Sequence, residues 1–174
     1  MSGQGYHFAV PENTLHALLA CQDDMAILDL IDTLHQAWDT DQNDSAGGYK
    51  EWDVLHRCLS DGTFDPAGGS YPLNRCFLGG RLLVTDGSIV NVVMPKEVRD
   101  VADAMAHLDE RWLHVRFTTT FAQEYTQGGD MENDCQYYWK MLDELRTFYR
   151  KAAEKGQAVV FYTDDSLDYF CRKP

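Results

Sequence analysis

Hydrophobic residues recur with two different periods along the 174-residue chain, and the order of those periods limits the folds that it can adopt. Apolar residues alternate at Tyr6, Phe8 and Val10, which is typical of a strand, and residues 158–162 predict a last strand. Most of the sequence between them shows helical spacing instead. Because helices and strands are mixed without the regular βαβ alternation of a doubly wound sheet, the sequence predicts an α+β fold.

Apolar stripes and turn signals divide the chain into further elements. Helices are predicted after Pro11 and over residues 23–38, 50–59, 72–78, 95–108, 112–117 and 135–154. Strands are predicted over residues 81–84 and 89–94, and the Asp86-Gly87 pair between them is a hairpin signal. Residues 118–134 fit neither pattern clearly.

The length of the chain and its 44% hydrophobic content supply one core rather than two, so residues 1–174 are predicted to form a single domain. The polar segment 40–48, which ends in glycine, predicts a loop. The polar tail 164–174 is interpreted as a C-terminal extension.

The net charge of −13 disfavours two classes of partner. A strongly acidic chain repels nucleic-acid phosphates and anionic membrane surfaces, and it attracts cationic proteins. No apolar run approaches the roughly 18 residues that span a bilayer, and the polar start lacks the features of a secretory signal. The five widely spaced cysteines indicate reduced thiols, so the sequence predicts a cytoplasmic protein.

Acidic residues are unevenly distributed along the chain. Residues 1–49 contain eight Asp or Glu and no Lys or Arg, so they carry −8 of the total charge of −13. A surface built only for solubility usually mixes both signs. Two interpretations stay open: a solubilising face, or a docking surface for a basic protein. The docking interpretation assigns the contacts to seven aspartates, Asp23, Asp24, Asp29, Asp32, Asp39, Asp41 and Asp44.

One pair of side chains has the spacing that acid–base chemistry requires. Asp53 and His56 lie three residues apart on the predicted helix 50–59, where a carboxylate can orient an imidazole as a general base. The alternative is that His56 is a satisfied, partly buried side chain. Gly79 and Gly80 likewise fit an anion-binding nest or, more simply, the end of a helix. The common nucleotide-binding, hydrolase and zinc-protease motifs do not occur, and we predict no cofactor and no metal site.

Several blocks of the sequence resemble the YfbM-like family. Gly5-Tyr6 resembles the Gly-aromatic opening of that family, and Lys50-Glu51-Trp52-Asp53-Val54-Leu55-His56 resembles its Lys-x-Trp-Asp-x-Leu-His signature. The blocks Pro72-Leu73, Leu78-Gly79-Gly80 and Pro95-Lys96-Glu97-Val98 follow at spacing similar to that of the family. The end of the chain, over residues 138–162, resembles the end of the family.

The resemblance implies a single α+β domain with a small mixed or antiparallel sheet flanked by several helices. It marks five signature positions, Trp52, Asp53, His56, Gly79 and Gly80, and it implies no particular activity.

The sequence favours a non-catalytic, protein-binding domain. In its sharpest form, this hypothesis describes an acidic immunity-type protein that neutralises a basic partner or toxin. The alternative is a small hydrolase or transferase that uses Asp53 and His56 in a cleft. No feature of the sequence indicates an oligomeric state.

Overall fold

The first and last strands of the described chain lie side by side in the centre of one antiparallel sheet. The structure is a computed structural model, and it describes residues 3–38, 44–126 and 128–163. Its strands are β1 (Gly5–Val10), β2 (Ser45–Tyr49), β3 (Arg81–Val84), β4 (Ile89–Val93) and β5 (Ala158–Thr163). The sheet order is β2-β1-β5-β4-β3, and every neighbouring pair is antiparallel.

Helices cover both faces of this sheet. They are α1 (Glu12–Ala20), α2 (Asp24–Trp38), α3 (Trp52–Leu59), α4 (Pro95–Met105), α5 (Glu110–Phe121) and α6 (Met131–Glu154), with a 3₁₀ helix at Leu73–Cys76. Residues Val159 and Phe161 of β5 join a large core under α3 to α6, whereas Val160 and Tyr162 join a smaller core under α1 and α2. The arrangement confirms the predicted single α+β domain with a small antiparallel sheet flanked by helices.

Strand β2 corrects the loop that was predicted over residues 40–48. The segment Ser45–Tyr49 pairs with β1, and Gly47 lies opposite Tyr6. Pattern rules predict a loop because the segment is small, polar and rich in glycine, which strands usually avoid. The two backbones approach so closely that a Cβ on Gly47 would lie 2.7 Å from the Cα of Tyr6. The strand therefore depends on close backbone pairing with a distant segment.

Two aspartates cap the helices α5 and α6, which include residues 118–121 and 131–134 of the segment that fits neither pattern. The backbone N–H of Trp112 donates to Asp109 Oδ1 at 2.7 Å at the start of α5. The backbone N–H of Asn133 donates to Asp130 Oδ1 at 3.1 Å at the start of α6. Such caps satisfy N–H groups that have no partner within the helix. Helix α6 consequently begins four residues before the predicted start of helix 135–154.

The hairpin of β3 and β4 is present as predicted, whereas the predicted helix 72–78 is shorter, with one 3₁₀ helix at Leu73–Cys76. No helix in the described ranges is long and apolar enough to cross a bilayer. Residues 40–43 of the predicted loop and the interpreted extension 164–174 lie outside the described residues.

Candidate functional site

Helix α2 buries one stripe of side chains and presents an acidic face on its other side. Ile27 and Ile31 are buried in the smaller core. Met25, Asp29 and Asp32 are exposed, and their spacing of four and seven residues places them on one face, opposite the buried stripe. The amphipathic pattern thus gathers carboxylates on the outside of the domain.

Met25 is the feature of this face that the sequence interpretation missed. Its side chain is 74% exposed, more than that of any other large hydrophobic residue whose side chain the structure describes. A single exposed apolar residue is ordinary on a protein surface. This one, however, directly follows Asp24 and lies one helical turn before Asp29. The helical phase of Met25 relative to Ile27 and Ile31 is the sequence signal that would have identified it.

The aspartates of the predicted docking set fall into three groups. Asp23, Asp24, Asp29 and Asp32 are exposed at α2, and no Lys or Arg of the described ranges forms an ion pair with them. Asp44, by contrast, forms an ion pair with Lys155. Asp39 and Asp41 lie outside the described residues. Asp23 and Asp24 thus lie at the start of α2, whereas Asp29 and Asp32 lie along its exposed face.

Asp23 also has a structural role. Its Oδ1 accepts a hydrogen bond of 2.9 Å from the backbone N–H of Ala26, at the start of α2. This bond satisfies one of the N–H groups that a helix leaves without an internal partner. Asp23 thus stabilises α2 and contributes negative charge to its outer surface.

His56 is buried in an aromatic environment. Its side chain is 1% exposed, and its ring meets those of Phe64 and Phe77 edge-on at centroid distances of 5.7 and 6.2 Å. Burial lowers the pKa of His56 to about 4, against the opposing effect of the Asp61 and Asp65 carboxylates. The imidazole is therefore neutral at physiological pH.

Asp53 and His56 do not form the pair that general-base chemistry requires. Burial raises the pKa of Asp53, and no hydrogen bond or ion pair in the described chain joins its carboxylate to His56. Surface cavities of about 400, 510 and 270 Å³ are lined by described residues, and neither side chain lines any of them.

Trp52 is buried in the larger core. It is 1% exposed, and its Nε1–H donates to the carbonyl of Gly3 at 3.2 Å. A Cβ on Gly5 would lie 2.8 Å from Cγ of Trp52 and 2.9 Å from the ring of Phe161. Glycine at position 5 therefore leaves room for the indole against β1. The opening and the signature block of the sequence meet at this contact.

Gly79 and Gly80 are required for space. Neither has a positive φ. A Cβ on Gly79 would lie 2.4 Å from the carbonyl oxygen of Asn74, and one on Gly80 would lie 2.5 Å from that of Val92. Both glycines let one backbone approach another, which is a structural role.

A buried hydrogen-bond network holds the segment before these glycines. His7 Nε2 and the hydroxyl of Tyr149 bond to the carbonyl of Cys76, at 2.8 and 3.0 Å. Burial lowers the pKa of His7 to about 4, against the effect of that backbone bond. Sequence patterns missed this role of His7, because its partners are 69 or more residues away.

No group of three or more His, Cys, Asp or Glu side chains in the described part of the chain is arranged to hold a metal ion. The described cysteines Cys21, Cys58, Cys76 and Cys135 are free thiols. Burial raises the pKa of Cys58 to about 12, so this thiol stays protonated and unreactive.

A solved structure shares this fold. Among solved structures, the chain is similar to YfbM from Escherichia coli, described as a protein of unknown function. The TM-score is 0.59 and the sequence identity is 18%, with 92% of this chain and 99% of that chain covered. This identity shows the fold alone.

No curated protein sequence matches the chain. A family model described as a domain of unknown function (DUF1877) matches residues 1–162. The resemblance seen in the sequence is thus confirmed, and the chain belongs to the DUF1877, or YfbM-like, family.

Proposed function

We propose that this chain is a non-catalytic, acidic protein-binding domain whose partner is a basic protein. Its docking face is defined as Met25, Asp29 and Asp32 on α2, with Asp23 and Asp24 at the start of that helix. One observation carries the proposal: an exposed methionine stands among carboxylates that have no Lys or Arg partner in the described ranges.

The two kinds of side chain on the docking face have complementary effects on binding. Covering a methionine contributes roughly 1.5–3 kcal/mol through apolar burial. Its flexible thioether adapts to different partner surfaces. The carboxylates contribute mainly to the rate of encounter and to orientation, because opposite charges steer diffusion. Together the methionine and the carboxylates favour a partner whose surface is basic and has an apolar patch at its centre.

The sharpest form of the proposal is an immunity-type protein that neutralises a basic toxin by covering its cationic surface. The net charge of −13 supports this form, since it favours fast capture of a strongly basic protein. The proposal places the protein in the cytoplasm, where its free thiols remain reduced. The hydrolase or transferase hypothesis is not proposed, because His56 is buried and lines none of the cavities formed by described residues.

Affinity capture from a lysate of the native organism tests the proposal. The wild-type chain should recover a stoichiometric basic protein, identified by mass spectrometry. A double charge reversal, Asp29→Lys with Asp32→Lys, should abolish recovery. The matched control is Asp86→Lys with Asp103→Lys, which makes the same change in net charge at exposed sites outside the docking face. The proposal fails if no stoichiometric basic partner is recovered, or if both double variants lose it equally.

A further inference from the structure

The sequence contains two Asp-Gly pairs, Asp61-Gly62 and Asp86-Gly87, and the structure holds them differently. In such a pair the backbone nitrogen of the glycine can attack the carboxyl carbon of the aspartate, because glycine has no side chain to obstruct the approach. Both aspartates are exposed, so access of water does not distinguish them. The two pairs differ in their hydrogen bonds.

The carboxylate of Asp61 is held in place by Thr63. Its Oδ1 accepts a hydrogen bond of 3.1 Å from the backbone N–H of Thr63 and one of 2.6 Å from the hydroxyl of the same residue. The backbone N–H of Gly62, which carries the attacking nitrogen, donates to the carbonyl of Arg57 at 3.0 Å. Both reacting groups of this pair are therefore engaged by other partners.

The bonds to Thr63 also make the carboxyl group of Asp61 chemically less reactive. They hold the pKa of Asp61 below its usual value, with the hydroxyl of Thr63 as the largest cause. Oxygen leaves a carboxyl group as water more readily from the uncharged acid than from the carboxylate. A lowered pKa reduces the uncharged fraction at a given pH, so it slows attack by the neighbouring nitrogen.

The Asp86-Gly87 pair has none of these restraints. It lies in the turn between β3 and β4, and within the described chain neither the carboxylate of Asp86 nor the backbone N–H of Gly87 forms a hydrogen bond or an ion pair. A Cβ on Gly87 would meet no atom within 4 Å. This turn leaves room for the two reacting groups to approach each other.

We propose that Asp86 is a site of spontaneous isomerisation to isoaspartate, and that the fold protects Asp61 from the same reaction. The nitrogen of Gly87 forms a bond to Cγ of Asp86, and the hydroxyl of that carboxyl group leaves as water with the amide proton. The product is a five-membered succinimide ring. One water then opens the ring at either carbonyl, which restores aspartate or leaves isoaspartate, whose peptide bond runs through the side-chain carbon.

The reaction alters the hairpin without changing the mass or the net charge of the chain. Isoaspartate adds one carbon to the main chain between β3 and β4, and it keeps one carboxylate. Since the conversion needs no enzyme, the fraction of isoaspartate in a population of molecules rises with its age.

Ageing of the purified full-length chain at neutral pH tests this assignment. At successive times the chain is digested, and electron-transfer dissociation mass spectrometry distinguishes isoaspartate from aspartate in the peptides that contain each pair. Isoaspartate should accumulate at Asp86 at least about tenfold faster than at Asp61, because reaction at Asp61 must first break several hydrogen bonds. Comparable rates at the two pairs, or a faster reaction at Asp61, would overturn the proposal.

The unfolded chain separates the effect of the fold from that of the local sequence. In guanidinium chloride the two pairs should isomerise at similar rates, because the restraints on Asp61 are lost. If the difference between the pairs persists in the unfolded chain, the flanking residues rather than the structure determine it, and the proposal fails.

Two variants of Thr63 test the protecting hydrogen bond directly. Thr63→Val removes the hydroxyl donor and should raise the rate at Asp61 about threefold to tenfold, with no change at Asp86. Thr63→Ser keeps the hydroxyl and is the matched control, so it should retain the slow rate at Asp61. Equal rates at Asp61 in the two variants would contradict protection by this bond.

Discussion

The signature block of α3 and the docking face of α2 lie on opposite faces of the sheet, and different forces hold them. Trp52 and His56 are buried in the large aromatic core, where space and hydrogen bonding to backbone decide which residues fit. Met25, Asp29 and Asp32 are exposed, and their side chains contribute little to packing. The residues that resemble the family most therefore maintain the fold, and the residues proposed to bind a partner lie outside that block.

This contrast changes how the Asp53 and His56 pair is understood. A carboxylate and an imidazole at helical spacing indicate chemistry only where both reach a common substrate. Here the imidazole is enclosed by Phe64 and Phe77 and is neutral at physiological pH. The signature histidine is part of the core.

Replacing the signature tryptophan should have the largest effect on stability. Trp52→Ala should lower the free energy of unfolding by about 3–5 kcal/mol, because it removes buried apolar surface and leaves a cavity. Urea denaturation measures this loss, and Trp52→Phe serves as the milder control. A loss below about 1 kcal/mol would show that the signature block does not hold the core.

Acid should weaken the core, because it contains two buried histidines that are neutral in the fold. Unfolded histidine binds its proton with a pKa of 6.5, whereas His7 and His56 have a pKa of about 4 in the fold. Between these values the unfolded chain binds more protons, so stability rises with pH and falls on acidification. The full contribution of each, about 3 kcal/mol, is present above pH 6.5 and is lost as the pH falls to 4.

Urea denaturation at several pH values measures this dependence. His56→Leu should lose about 3 kcal/mol less unfolding free energy between pH 7 and pH 4 than the wild-type chain does. Identical losses in the two proteins would contradict a buried, neutral imidazole.

Asp23 both caps α2 and contributes negative charge to the protein surface, so its substitutions separate the effect of charge from that of capping. Asp23→Ala should cost about 1 kcal/mol of stability, because the N–H of Ala26 loses its acceptor. Asp23→Asn should cost only a few tenths of that, since asparagine caps equally well. Thermal unfolding of the two variants compares them, and equal losses would mean that its charge, rather than its cap, stabilises α2.

The docking face should show the smallest effect on stability. The double variant Asp29→Lys with Asp32→Lys should change the free energy of unfolding by less than about 0.5 kcal/mol per site, as exposed substitutions usually do. Urea denaturation of this variant and of the Asp86→Lys, Asp103→Lys control provides the measurement. A larger loss in the first alone would show that these aspartates support the fold.

Local sequence patterns predict much of this fold. The stripe of Ile27 and Ile31 places α2, and the alternation of Tyr6, Phe8 and Val10 places β1. These signals suffice because each element buries a face that its own residues define. Strand β2 could not be predicted in this way, since its glycine-rich residues gain their structure from pairing with β1.

The candidate site was predictable only in part. The run of residues without Lys or Arg identifies an acidic surface, and helical phase places Asp29 and Asp32 on it. The ion pair of Asp44 with Lys155 joins residues 111 positions apart, so no local pattern reveals it.

Hydrogen–deuterium exchange of the free chain and of its complex with the captured protein is the most direct test of the account. We expect slower exchange on binding along α2, with no change in α3. Slower exchange in α3 with α2 unaffected would contradict the assignment of docking to one face of the sheet and packing to the other.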